Sequence, residues 1–248
     1  MLLELHFRSK ELQKNTQVNV LLPDAAKKPF KTLWLLHGLS GDHTDWMRYS
    51  AIERYAKQYD LAVIMPNADR SWYTDTAYGQ NHFSYIANEL PELCRRTLCG
   101  LSARREDNIV AGLSMGGYGA MKLALTHPER YGACISLSGS LDVTRKGRPC
   151  NLAEWQSIFG YAMQSPLELE GSAQDLFALA ARPEVVASPP AIYMWCGTED
   201  SLLPVNRLFD AHLTALGIPH EFRASEGDHT WRWWDLHVQN ALAWLFAH

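Results

Sequence analysis

The sequence predicts an α/β fold built on a mostly parallel central sheet. Three observations carry this prediction: short apolar runs that end at turn residues, helical segments spaced between them, and a Gly-x-Ser-x-Gly set where one such run meets a helix. Alternation of strand and helix implies crossover connections, which place helices on both faces of a parallel sheet. Strands covered on both faces then read as unbroken apolar runs.

Taken in order, residues 17–22 alternate polar and apolar, as a half-exposed strand does, and Pro23-Asp24 ends it. Residues 32–37 form a continuous apolar run, and 61–65 form another that stops at Pro66. Residues 109–111 enter the Gly-x-Ser-x-Gly, 133–137 follow the next helix, 191–196 make a further buried strand, and 221–224 a short last one. Helices are predicted near 47–58, 84–98, 116–126, 205–216 and 232–247, with Trp234, Val238, Ala241, Leu242 and Leu245 on one face of the last. Pro91 lacks an N–H and predicts a break, a kink or a fresh start inside the second. Residues 140–188, with Pro149, Pro166 and Pro183 among short helical pieces, fit the rhythm poorly. They read as an insertion over the strand ends, either a small partial cap or connecting structure with no role at the site. No repeat or linker interrupts the chain, so residues 1–248 are expected to form one domain.

Composition narrows the function classes. With 47% apolar residues, 20% charged residues and a net charge of −4, the chain lacks the basic footprint of a nucleic-acid or membrane-surface binder. Residues 1–8 lack a basic segment followed by an apolar core, so a signal peptide is not expected, and no apolar run approaches the ~20 residues of a membrane span. Five cysteines (Cys94, Cys99, Cys134, Cys150 and Cys196) show no Cys-x-x-Cys spacing, which suits free thiols in the cytoplasm. Cys134 and Cys196 sit in apolar runs and read as small core residues. No cluster of His, Cys and carboxylates has metal-ligand spacing, and neither metal nor organic cofactor is expected.

The chemistry centres on residues 108–120, where a strand leads through Gly112-Leu113-Ser114-Met115-Gly116 into a helix. In that setting the motif is a nucleophile elbow, a sharp turn that lifts a serine Oγ clear of the sheet. A side chain at 112 or 116 would collide with the neighbouring strand or helix. Gly116, Gly117 and Gly119 in the first turns each cost about 1 kcal/mol against Ala, so close backbone approach is expected there. A serine needs a base oriented by a third group, and on this kind of sheet the order is Ser, Asp or Glu, His. Of the later histidines, His127 ends the elbow helix, His212 and His237 lie within helices, His220 starts a strand and His248 is terminal. His229 alone lies in a loop, between the last strand and the last helix. The acid should follow a strand before it: Asp200 does, with Glu199 as the near rival, Asp142 a weaker one, and Asp228 expected to point away toward the helix. The oxyanion donors are the amides of Met115, after the nucleophile, and Leu39, in the loop His37-Gly38-Leu39-Ser40-Gly41. His37 precedes the nucleophile and is expected to hold that loop by a hydrogen bond.

These segments, together with Asp45-Trp46, Gly227-Asp228-His229-Thr230-Trp231 and Trp234-Asp235, resemble the tributyrin esterase branch of the esterase D family. The resemblance implies an α/β-hydrolase fold and a cytoplasmic carboxylesterase for short acyl chains. It implies Ser114 as nucleophile, His229 as base, Asp200 as its partner, and Leu39 and Met115 as oxyanion donors. Homo-oligomers, dimeric or tetrameric, are common in the family. S-formylglutathione hydrolase, a thioesterase of the same family, is similar but carries a cysteine where this chain has Gly41, and histidines where it has Leu113 and Tyr118. Other relatives are acetyl or feruloyl esterases of plant polysaccharide. Aromatic residues crowd the expected mouth of the site, and for Trp46 and Trp72 two roles stand open: walls of a substrate pocket, or packing in the core. Trp234 is assigned to the core.

Overall fold

The computed structural model describes residues 1–24, 29–144 and 151–247. An eight-stranded sheet forms its centre: β1 (Leu2–Arg8), β2 (Asn15–Leu21), β3 (Thr32–Leu36), β4 (Ala62–Pro66), β5 (Asn108–Leu113), β6 (Ala133–Leu137), β7 (Ala191–Gly197) and β8 (His220–Ser225). Their spatial order is β1-β2-β4-β3-β5-β6-β7-β8. β2 runs antiparallel to both β1 and β4, and every other pair is parallel. This is the α/β-hydrolase fold. β3, β4, β5 and β6 are buried along their whole length, as the apolar runs require.

The helices are α1 (Asp45–Tyr49), α2 (Ile52–Gln58), α3 (His82–Ser84), α4 (Leu90–Thr97), α5 (Met115–Thr126), α6 (Leu152–Phe159), α7 (Leu176–Ala180), α8 (Pro183–Ala187), α9 (Leu203–Ala215) and α10 (Trp231–Ala247). The period of two along β3 sorts the core. Leu33 and Leu35 join a cluster with Ile52 and Tyr55 of α2 and Trp234, Val238 and Leu242 of α10. Trp34 and Leu36 face the opposite cluster, with α4, α5, α7 and α9. Leu113 lies opposite Leu137, and Leu137 opposite Trp195, so β5, β6 and β7 finish level at one edge. Binding sites in open α/β sheets lie beyond such strand ends.

Three elements depart from expectation. β1 was not anticipated; Leu3, Leu5 and Phe7 turn inward against the core while the residues between them are exposed. The helix expected over 47–58 is two, broken at Ser50, where the chain is extended and the next amide, of Ala51, donates to Asp235 Oδ1 at 2.8 Å. The helix over 84–98 contains a wide π-turn at Tyr85–Glu89 and continues in helical conformation through Glu89 into α4, with Pro91 in the first turn of α4. Within 140–188, residues 145–150, which include Pro149 and Cys150, lie outside the described residues, as does His248. The described remainder packs beside the elbow helix. Tyr118 Oη donates to the Gln174 carbonyl, and Lys122 reaches the Gln174 side chain. None of the described residues of 140–188 lines the cleft at Ser114.

Candidate active site

β5 delivers the chain to Ser114 with φ 54° and ψ −118°, a strained conformation for a residue with a side chain. The surroundings hold it: Ser114 N donates to the Leu137 carbonyl at 3.0 Å, and its own carbonyl accepts from Tyr118 N and Ser140 N, each at 3.1 Å. The two elbow glycines are required by close approach. A Cβ at 112 would overlap the Gly116 carbonyl, and one at 116 would lie 2.5 Å from the Leu36 carbonyl oxygen on β3. The expectation of collision with helix and strand is met at both positions.

The loop after β8 brings His229 over the serine, with Nε2 3.0 Å from Ser114 Oγ. The other ring nitrogen, Nδ1, lies 2.8 Å from Asp200 Oδ2 in the loop after β7. With Nδ1 protonated toward the carboxylate, Nε2 is left as an acceptor for the serine hydroxyl. The Asp200 side chain is fully buried, whereas His229 is 38% exposed on the solvent side. Burial pushes the Asp200 carboxyl up, but hydrogen bonding from His229, the Leu202 amide and Ser138 outweighs it and holds the group below its ordinary range. Asp200 therefore remains a carboxylate beside the imidazole.

Glu199, the rival acid, turns to the loop instead. Its Oε2 accepts from Gly227 N at 2.8 Å while its own amide donates to the Gly227 carbonyl at 2.9 Å, clamping the loops of Asp200 and His229 together. Asp228 Oδ1 accepts from Thr230 Oγ1, and Asp142 Oδ1 accepts from Thr144 N and Oγ1. Trp234 touches both His229 and the neighbourhood of Asp200. Its ring meets the His229 ring edge-on at 4.8 Å, and its Nε1 donates to Ser138 Oγ at 3.1 Å, beside Asp200. Ser138 was not singled out in the sequence, where only its place after β6 could have marked it.

Leu39 and Met115 flank the serine. Leu39 lines the cleft and Met115 is buried directly after the serine, and neither amide has a backbone hydrogen-bond acceptor among the described residues. His37 is buried at the root of the loop, with Nδ1 2.7 Å from the Gly38 carbonyl and Nε2 accepting from Ala68 N at 2.9 Å. Burial lowers its pKa, which suits a neutral ring donating on one side and accepting on the other. Trp46 and Trp72 are not on the cleft wall. Trp46 is 1% exposed and donates to the Leu36 carbonyl; Trp72 is 2% exposed and packs on Tyr118 and Trp155. The cleft is lined instead by residues 38–42, Asp45, Arg48, Tyr49, Leu113, Ser114, His229, Trp231 and Trp234.

Residues 9–245 match the family model described as putative esterase. The chain belongs to this family. The esterase is 31% identical over 260 residues to an acetyl esterase of Caldicellulosiruptor saccharolyticus, covering 98% of this chain and 97% of that protein. Among solved structures it is similar to the substrate-bound fluorophosphonate-binding serine hydrolase FphF of Staphylococcus aureus, with a TM-score of 0.89, 34% identity, and coverage of 99% of this chain and 98% of that one. The apoenzyme of S-formylglutathione hydrolase FrmB, also from Staphylococcus aureus, gives a TM-score of 0.85 and 34% identity over the same shares. The esterase is accordingly an ester-hydrolysing enzyme of the α/β-hydrolase superfamily. No helix among the described residues is long and apolar enough to cross a membrane, and no group of three or more potential metal ligands occurs among them.

Proposed function

We propose that the esterase is a carboxylesterase of short acyl chains working through Ser114, His229 and Asp200, with Leu39 and Met115 as oxyanion donors. The observation that carries this reading is the continuous relay from Ser114 Oγ through His229 to the buried Asp200 carboxylate. Ser114 Oγ attacks the ester carbonyl as His229 Nε2 takes its proton, and the amides of Leu39 and Met115 receive the oxyanion. His229 then protonates the leaving alcohol, leaving an acyl-serine. Water, deprotonated by the same imidazole, attacks the acyl carbon, and Ser114 regains its proton as the acid departs. Asp200 holds the imidazole in the required tautomer and stabilises its cationic form.

The short-chain preference is supported by the likeness to an acetyl esterase and by the resemblance to tributyrin esterases. The test is Ser114→Ala against p-nitrophenyl esters of two to eight carbons. Hydrolysis is expected to fall by on the order of 10⁴-fold or more, and fluorophosphonate labelling to disappear. Undiminished turnover by the variant would overturn the assignment.

A thioesterase reading draws on the 34% identity with FrmB. Gly41, Leu113 and Tyr118 weigh against it, and a kcat/KM on S-formylglutathione far above that on ethyl acetate would favour it. Cytoplasmic residence is supported by the free Cys94, Cys134 and Cys196, all buried. Assembly as a dimer or tetramer, inferred from the same resemblance, is tested by light scattering.

A further inference from the structure

Gly119 opens α5 toward a loop rather than a strand. The nearest atoms to a Cβ at that position all belong to the ring of Tyr73, which it would overlap. Tyr73 is fully buried in the loop after β4. β3 and β4 run parallel side by side, so this loop leaves the sheet beside the one that carries Leu39. Tyr73 reaches across to that neighbour, its Oη donating to the His37 carbonyl at 2.9 Å. The same carbonyl faces α5, where a Cβ at Gly116 would lie 2.6 Å from its oxygen. It is therefore held between helix and phenol at the root of the oxyanion loop.

Tyr73 is kept there against its backbone preference. Trp72 and Tyr73 are consecutive residues with φ 51° and 47°, in the left-handed region that bulky side chains rarely adopt. Such strain persists only where the surroundings over-determine it. Lys122, one turn after Gly119, supplies that constraint. Its Nζ donates to the Tyr73 carbonyl and to Thr74 Oγ1, each at 3.0 Å, and to Gln174 Oε1. Three acceptors match its three donors. A hydrocarbon at 122 would fill the same buried space with no charge to desolvate, so what the lysine adds is the tether.

The consequence lies in two successive peptide planes. A planar trans peptide sets each carbonyl opposite the N–H that follows it. Tyr73 Oη fixes the plane joining His37 to Gly38. The next plane, joining Gly38 to Leu39, is fixed at the Gly38 carbonyl by His37 Nδ1 at 2.7 Å and by the Gly41 amide at 3.1 Å. That second plane carries the Leu39 N–H. Gly38 is the swivel between the two, with no side chain to limit its turning, so freeing the first plane lets the second tilt. An oxyanion donor is effective only where its distance to the developing charge is set beforehand.

We propose that Tyr73 is a positioning residue for the Leu39 amide and that Lys122 holds Tyr73 to α5, so that donor and nucleophile are set from one helix. The proposal rests on Ser114 as nucleophile and Leu39 as oxyanion donor. The probe is butylboronic acid: Ser114 Oγ adds to its boron while His229 takes the proton, and a boron-bound oxygen then lies where the oxyanion forms. Y73F keeps the ring against Gly119 and removes the hydroxyl alone. Its kcat on p-nitrophenyl butyrate should fall about tenfold, less than the ~10²–10³ that follows loss of a whole donor. KM should stay within about twofold, while the inhibition constant of butylboronic acid should rise about tenfold. Neither constant depends on the fraction of enzyme that is folded, so a loss of stability alone would move neither. K122M and G119A act on Tyr73 from the helix without removing its hydroxyl, and each should raise the boronate constant in the same way even where Y73F does not fold. Unchanged boronate inhibition in Y73F, or in both K122M and G119A, overturns the proposal, as does a rise in KM as large as that in the boronate constant. Failure of the underlying reading is separately visible. Replacing Leu39 by its α-hydroxy acid deletes that N–H alone. Boronate binding unchanged by this replacement would overturn the donor assignment, and equal binding by S114A the nucleophile, whatever Y73F does.

Discussion

At the scale of single residues, adjacent carboxylates with different partners make the sharpest prediction. Asp200 receives His229 Nδ1, whereas Glu199 receives Gly227 N. Asp200→Asn presents an amide that favours the wrong imidazole tautomer, and kcat should fall by roughly 10⁴. Glu199→Gln keeps an acceptor for the Gly227 amide and should stay within about threefold of wild type, since it loses only part of one half-buried hydrogen bond. Steady-state kinetics on p-nitrophenyl butyrate checks both, and equal losses would return Glu199 to the acid's role. That Ser114, His229 and Asp200 lie in hydrogen-bond reach of one another was legible in the sequence because chain order and loop setting restrict the choice. Trp46 and Trp72 could not be placed that way. An indole serves equally in a core or on a pocket wall, and the difference lies in what packs against it. Trp234 shows the converse, a core residue that also touches the base. Trp234→Phe keeps the ring against His229 but removes the bond to Ser138 Oγ. We expect kcat to fall about two- to tenfold with KM unchanged, and an unchanged kcat would show that this bond does not reach the triad.

At the scale of elements, the elbow holds because α5 and β3 approach more closely than any side chain permits. Gly116→Ala sets a methyl 2.5 Å from the Leu36 carbonyl oxygen, a backbone atom that can retreat only by moving β3. The variant should lose at least about 2 kcal/mol of stability in urea unfolding, with activity impaired even where it folds. Stability equal to wild type would mean that the elbow tolerates separation from β3. The parallel strands were legible because burial on both faces demands runs such as residues 32–37 and 191–196. β1 carries the same period-two signal as residues 17–22, Leu3, Leu5 and Phe7 alternating with Glu4, His6 and Arg8, so it was legible though unread; only its pairing with β2 is a long-range fact. The break between α1 and α2 was hidden for a similar reason, since Asp235, which takes the Ala51 amide, lies far along the chain. Pro91 falls in the first turn of α4, but the chain stays helical from the π-turn into it, so the irregularity the proline signalled takes the form of a π-turn rather than a break.

At the scale of the whole molecule, buried histidines couple folding to pH from both sides of the sheet. His37 ties the loop after β3, His82 is buried beside Asp69, and His237 stacks on Trp195 with centroids 3.8 Å apart. Burial lowers the pKa of all three, and holds His82 and His237 down to about 4. In the unfolded chain each imidazole binds its proton near pH 6.5. Between those values the unfolded state carries more protons than the folded one, so stability rises with pH across the window. The contribution is fully present above about pH 6.5 and is lost as pH falls toward about 4. Carboxylates such as Asp200, held below their ordinary range, begin to weaken the fold only near and below about pH 4, where the unfolded-state groups titrate. Urea midpoints at fixed ionic strength should therefore drop between pH 6.5 and 4.5, with His82 and His237 together contributing a slope approaching two protons and His37 adding in the same direction. His237→Gln should remove about one proton of that slope while leaving the neutral-pH midpoint lower for lack of the stacked ring. A wild-type midpoint flat across that interval would show that these imidazoles take up protons without unfolding the chain. The acid lability would then have to come from the carboxylates alone.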